Sequence, residues 1–268
     1  MKYGFVLPRG DARMAAEAAQ LAEESGWDGF FVWEPVWGVD AWVSLTAAAM
    51  VTDTIRLGTM LTPVSRMRPW KLASETATLD TLSGGRVILA VGLGAIDSGF
   101  AEFGEETDRR VRAELLAEGL DIVTGLWAGQ PFSYAGKHYT VRPTQFMPPT
   151  PPVQRPRIPI WVVGAWGRPW SMARALAYDG LLPHVAGDLT PELVAEMVAY
   201  AARTRGTDAV PYDVVVEGST AVGDEVALQR ARDFATAGAG WWIEGMWEIE
   251  GDDWVAAVRA RIAAGPPR

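Results

Sequence analysis

The feature that most constrains this 268-residue chain is a strict alternation of short apolar, β-rich runs with longer segments of helical periodicity. The spacing predicts strands over 3–7, 29–33, 55–61, 86–91, 160–163, 180–183, 212–218 and 241–244, with helices between them. The helix predicted over 70–82 starts behind Pro69 and stops at Gly84 and Gly85; its inner face carries Leu72, Thr76, Leu79 and Leu82. A longer helix is predicted over 107–127, with Val111, Leu115, Ile122 and Leu126 facing inward. Strands that alternate with helices must run parallel, and eight such units close a barrel. The expected fold class is therefore α/β, a single (β/α)8 TIM barrel domain over residues 1–268, with a small hairpin insertion at 132–141 after the fourth helix. A doubly wound open sheet is the alternative. The proline-rich stretch 143–159 is the one candidate linker, expected to run as an extended connection. A domain split near residue 150 would leave each half about four strands and four helices from which to build a core.

Composition removes several classes of function. The chain has no cysteine, so disulfides, thiolate metal sites and cysteine nucleophiles are excluded, and its two histidines, His138 and His184, argue against a histidine-based zinc site. A formal charge of −9 without a basic cluster argues against nucleic acid. No apolar run approaches the roughly 18 residues of a membrane span, and the first residues do not resemble a signal peptide, so the expected location is cytoplasmic. Thirteen tryptophans stand out, many beside glycine or proline where loops are expected. Each one could simply pack the core, but as a group they suit a pocket for a planar ligand.

Motifs for nucleotide phosphate, zinc protease or serine hydrolase chemistry are absent. In a barrel the loops after the strands build the active site, which directs attention to Glu34, Thr62, Gly92 to Gly94, Gly164 to Gly167, His184 and Glu244.

A more specific pattern follows. The run Ile55-Arg56-Leu57-Gly58-Thr59, then Pro63, Arg66 to Pro69, Leu72-Ala73, Leu79-Asp80, Leu82-Ser83-Gly84-Gly85-Arg86 and Val91-Gly92-Leu93-Gly94 resembles the signature of the luciferase-like monooxygenase superfamily. Phe103-Gly104, Arg109, Glu114, Gly136 to Tyr139, Pro159 to Gly164 and Ala177 to Gly180 extend the resemblance over nearly the whole chain. The resemblance implies a barrel that binds reduced FMN or the deazaflavin F420, and a homodimer. It places the cofactor phosphate at the loop Gly164, Ala165, Trp166 and Gly167 with Arg168, where free N–H groups at a helix start would hold an anion. It places the cofactor ring over a cis peptide at Met60 and Leu61, beside Thr62, with Gly92 and Gly94 also near the cofactor.

Many deazaflavin members of the superfamily carry an acid followed by histidine after the second strand, whereas this chain reads Trp33-Glu34-Pro35-Val36-Trp37. Proline in place of histidine leaves Glu34 as the acid there, and burial could raise its pKa into a useful range. Glu34 and His184 are the catalytic candidates; Trp33, Trp37, Trp241 and Glu244 are candidates for the substrate pocket. The expected activity is a flavin-dependent monooxygenase acting on a small organic substrate with reduced FMN and oxygen, fed by a flavin reductase partner. An F420-dependent reductase or dehydrogenase is the first alternative, which the net negative charge disfavours because of that cofactor's acidic tail. A non-catalytic flavin-binding protein is the second.

Overall fold

The structure is a computed structural model that describes residues 1–145, 151–206 and 211–268. Part of the expected extended connection, 146–150, lies outside the described residues. Along the chain run β1 (Lys2–Leu7), α1 (Ala12–Glu24), β2 (Gly29–Val32), α2 (Ala41–Ala49), β3 (Arg56–Thr59), β4 (Thr62–Pro63) and α3 (Pro69–Leu82). Then follow β5 (Val87–Gly92), α4 (Arg109–Ala128), β6 (Phe132–Ala135), β7 (Thr140–Thr144), β8 (Ile160–Ala165), α5 (Pro169–Leu176) and β9 (Gly180–His184). The chain ends with α6 (Pro191–Arg205), β10 (Asp213–Gly218), α7 (Glu225–Thr236), β11 (Trp241–Gly245) and α8 (Trp254–Ala263).

Parallel pairings run β1–β2–β3–β5–β8–β9–β10–β11 and return from β11 to β1, closing an eight-stranded barrel, with β4 continuing the third strand position against the end of β5. Strands from both sides of the proline-rich stretch share this ring, since β5 pairs with β8. Helices start where short polar side chains can accept the free N–H groups of a first turn. Asp11, Asp40, Asp108, Thr190 and Asp224 cap α1, α2, α4, α6 and α7 in this way. Proline opens α3, α5 and α6, where a missing N–H costs nothing.

Two apolar layers result. One lies between strands and helices. The other fills the lumen with Val6, Phe31, Ile88, Ala90, Trp161, Leu182, Val215, Trp241 and Ile243. At its centre the Phe31 and Trp161 rings stack at 5.6 Å, and Trp241 meets Trp161 edge-on at 5.2 Å. Glycines make the room: a Cβ on Gly4 or Gly29 would come within 2.6 or 2.7 Å of the Phe31 ring, and one on Gly180 within 2.4 Å of Trp161. This aromatic plug closes the lower barrel, and a cavity opens at the carboxyl ends of the strands.

The Leu82-Ser83-Gly84-Gly85-Arg86 segment has a structural task below the barrel. Gly84 and Gly85 adopt φ of 69° and 87°, which end α3 and turn the chain into β5. Buried Arg86 then donates to the carbonyls of Ala49, Thr52, Ile55 and Ser83 and to the Thr52 hydroxyl, tying the end of α2 to the entry of β3. Beside it, buried Asp80 receives the backbone N–H and side-chain amide of Gln154, which anchors the far end of the proline-rich connection.

The fourth helix differs from expectation in phase. Its buried stripe is Arg112, Leu116, Gly119, Leu120, Ile122, Val123 and Trp127, about one residue round from the predicted one, while Val111, Leu115 and Leu126 are only half-buried. Leu82 at the end of α3 is likewise exposed. The hairpin forms as β6 and β7, clamped to α4 by Glu118, which receives the N–H groups of Lys137, His138 and Tyr139. Replacing Arg86 with methionine should leave several buried carbonyls without donors and lower unfolding stability by about 3 kcal/mol. Urea denaturation of the variant against the parent chain measures this.

Candidate active site

Inward and outward positions alternate along each strand, so every second residue at a strand's carboxyl end reaches the mouth. A cavity of about 500 Å³ opens there. Its floor, just above the aromatic plug, is Met60, Leu61 and Val163. The Met60–Leu61 peptide is cis. Trp33, Glu34, His184 and Trp247 stand on one part of the wall, and Arg109, Arg112, Ser171 and Arg174 on another.

Glu34 is held from beneath. Buried Thr62 donates to its Oε2 at 2.6 Å, the Thr62 and Thr59 hydroxyls lie 2.9 Å apart, and Thr59 donates to the Ala90 carbonyl at 3.3 Å. Each hydroxyl has one proton, so the row can run in either direction. With Glu34 protonated, its O–H donates to Thr62, Thr62 to Thr59, and Thr59 to the carbonyl, leaving every group satisfied. Burial pushes the Glu34 carboxyl up from its ordinary 4.5 to about 7, against the opposing effects of the Thr62 hydrogen bond and the Arg66 charge. Such a carboxyl can give or take a proton at neutral pH.

The arginines supply the opposite character. Arg112 is almost fully buried and donates through Nη1 to the carbonyls of Leu93 and Gly94, while its Nε has no partner. Arg174 donates to the Ala113 carbonyl, and its Nε is also buried without a partner. Burial lowers the pKa of both guanidiniums, aided at Arg112 by the Arg109 charge and opposed there by Glu106 and Asp108. Arg109 and the Ser171 hydroxyl line the same cavity, a set of groups that could hold an anion. Sequence reasoning missed this group. The available signal was an arginine at 112 in register with Leu116, Leu120, Val123 and Trp127, a charge on an apolar stripe.

The residues expected at the site divide clearly. Trp33, Glu34, Met60, Leu61, Gly94, Ala165 and His184 line the cavity. Thr62 lies beneath Glu34, and Gly92 beneath Leu61 and Val163, whose side chains occupy the space a Cβ would need. Other expected residues point elsewhere. Gly164 faces Leu181, Met172 and Ala175 behind the barrel, and Trp166 packs edge-on against Tyr200. Gly167 and Arg168 are exposed and do not line the cavity. The N–H groups of Ala165, Trp166 and Arg168 are already donated to Ser171 Oγ, the His184 carbonyl and the Ala165 carbonyl, which leaves little of the expected bare anion loop. Trp37 is exposed on a separate, smaller cleft beside the loops after β1 and β2. Trp241 belongs to the plug. Glu244 is fully buried outside the lumen, bonded to Thr220, Trp242 and Arg261, an ion pair that pins α8 to β11. His138 sits in the hairpin, 2.8 Å from Glu114. Among the described residues, no group of acids and histidines could hold a metal, and no helix is long and apolar enough to cross a membrane.

The raised Glu34 pKa has a consequence for stability. Between pH 4.5 and about 7 the folded chain keeps a proton that the unfolded chain releases, so the Glu34 contribution to stability is greatest below this window and falls as pH rises through it. At the top of the window the loss reaches about 3 kcal/mol. Glu34→Gln should lack this fall, so the wild-type-minus-variant difference in urea midpoint between pH 4.5 and 7.5 isolates it. A pH-independent difference would rule out the raised pKa.

Comparison with known proteins sets this geometry among relatives. An uncharacterized protein of Mycobacterium tuberculosis is 35% identical over 192 residues, covering 62% of this chain and 66% of the relative's length. The F420-dependent tetrahydromethanopterin reductase of Methanopyrus kandleri superposes with a TM-score of 0.77 at 18% identity, covering 98% of each chain. The monooxygenase RslO1 of Streptomyces bottropensis does so with a TM-score of 0.75 at 22% identity, covering 98% of this chain and 96% of its own. At such identities these two likenesses show a shared fold. The model of the luciferase-like monooxygenase family matches residues 4–264, and on that match the chain belongs to this family.

Proposed function

We propose that the chain is an F420-dependent oxidoreductase that moves a hydride to or from a small organic substrate, with Glu34 as its proton carrier. The observation that carries this reading is a cavity carboxyl whose pKa lies near 7, seated on a hydroxyl row that accommodates it with or without its proton. Hydride transfer to or from an oxygen- or nitrogen-bearing carbon needs a proton moved in step, and an acid balanced at neutral pH serves both directions.

The residues also fit a phosphate-bearing cofactor. The unpartnered Nε atoms of Arg112 and Arg174 need an anion, and Ser171 adds a hydroxyl. We assign the cofactor phosphate to this trio and the flat ring to the floor of Met60, Leu61 and Val163. When bound, the deazaflavin supplies or accepts the hydride. The protein's share is to fix the phosphate, to present an apolar floor, and to hold the proton on Glu34 with Thr62 as its hydrogen-bond partner. The chain's net charge counted against F420 in the sequence, but a ligand meets the local field. Arg109, Arg112 and Arg174 make that field positive at the cavity.

FMN-dependent oxygenation is the second reading, in keeping with the luciferase-like monooxygenase family to which the chain belongs. It asks for a chamber closed to water, whereas Trp33 and Trp247 at the mouth are 37% and 44% exposed. Absorption and fluorescence titration with F420, and separately with FMN, tests the choice. F420 should bind the more tightly, and tight FMN binding without F420 binding would overturn the proposal. Arg112→Met and Arg174→Met should each weaken cofactor binding about 10- to 100-fold, the cost of one hydrogen bond to a charged group. Glu34→Gln should lower the rate of F420 reduction by a panel of small alcohols and amines at least 10-fold with little change in F420 affinity. It should also remove the rate's inflection near pH 7. An unchanged profile would give Glu34 a structural role only.

A further inference from the structure

A second cavity, of about 520 Å³, lies over the ends of β10 and β11, walled by residues 217–219 and 245–249. Trp247 lines both this cavity and the first, so its indole is the partition between them. The partition is seated deliberately: the Trp247 Nε1 donates to the Glu217 carboxylate. Gly245 leaves room for it, since a Cβ there would come within 2.8 Å of that nitrogen and 3.2 Å of Glu217 Oε1. Glu217 follows Asp213 and Val215 on the inward side of β10, so it reaches the mouth as Glu34 does from β2.

The two cavities have opposite character. The first has arginines on its wall. The second has apolar surface from Met246, Trp247 and Ile249, and its charged lining residues are Glu217 and Glu248. The loop after β11 adds Glu250, Asp252 and Asp253 and contains no basic residue. Arg9 reaches this rim from the loop after β1, where its guanidinium donates to the Ile249 carbonyl and stacks over Trp254 at 4.5 Å. Glu217 is solvent-exposed at this rim and accepts the Trp247 N–H.

We infer that this second cavity is a binding site for a small amine, apolar in body, with Glu217 receiving the nitrogen and Trp247 covering the carbon frame. A protonated amine gains three things here: the Glu217 carboxylate as acceptor, the indole face of Trp247 and an acidic rim that draws cations in. A carboxylate of the same shape meets repulsion from each acid. The apolar walls favour a ring or short branched chain over a polyol.

The test needs no turnover. Indole N–H resonances of ¹⁵N-labelled protein, with Trp247 assigned by its loss in Trp247→Phe, are followed during titration with cyclohexylamine and with cyclohexanecarboxylate. A saturable shift at Trp247 with the amine, at least 10-fold weaker with the carboxylate, is expected. Glu217→Gln keeps the shape and should weaken amine binding at least 10-fold, and Gly245→Ala, which displaces the indole, should remove the Trp247 response. Equal binding of amine and carboxylate, or undiminished amine affinity in Glu217→Gln, would overturn the inference. Parallel absorption titrations with F420 and FMN keep the two readings apart. Amine selectivity without cofactor binding sinks the cofactor assignment alone, whereas cofactor binding without amine selectivity sinks the amine chamber alone.

Discussion

The packing of Phe31, Trp161 and Trp241 in the lumen is the constraint on which the rest of this structure depends. Three large rings fit inside an eight-stranded barrel only because Gly4, Gly29, Gly58 and Gly180 present no side chain to them. Once the lower lumen is solid, polar groups can reach solvent only at the upper ends of the strands. The floor of Met60, Leu61 and Val163 rests on this plug, so the height of the cavity is set by packing several residues below it.

Above the floor, burial does chemical work on groups that are ordinary elsewhere. A carboxyl at Glu34 in water would be ionised at neutral pH. Desolvation brings it near 7, and the hydroxyls of Thr62 and Thr59 allow it to hold the proton without leaving a buried donor unsatisfied. The same desolvation leaves Arg112 and Arg174 as cations with unmade hydrogen bonds, which a bound anion would complete. By contrast, the Glu244 carboxylate sits deeper than any of these and has its partners in Arg261, Thr220 and Trp242. Burial alone therefore does not mark a functional acid; an incomplete partner set does.

The barrel was legible because parallel strands are apolar on both faces and helices end in recognisable caps. Asp11, Asp40, Asp108 and Asp224, with Pro69, Pro169 and Pro191, mark helix starts that need no tertiary information. The same two-sided apolarity hid strand parity. In Trp241-Trp242-Ile243-Glu244 nothing in the residue types shows that Trp241 and Ile243 face the lumen while Trp242 and Glu244 face the helices. Parity removes Glu244 from the mouth and turns Gly164 toward α5, whereas Trp241 does face the lumen but lies in the plug below the cavity. Glu34 and His184 were legible by their place at strand ends. Arg112 was not, since a helix phase misread by one residue put it outside the inner stripe.

The sequence by itself determined the fold, the family and the end of the barrel that carries the site, because these follow from local periodicity, caps and motif order, each set within a few residues of the chain. Only the tertiary structure decided which side chains meet there. The proton chain from Glu34 to Ala90, the paired arginines on α4 and α5, and the indole shared by two cavities each join residues from different strand-helix units. Their contacts depend on the direction in which each side chain leaves its strand or helix. Ring closure and core packing fix that direction, and no local stretch of sequence encodes it.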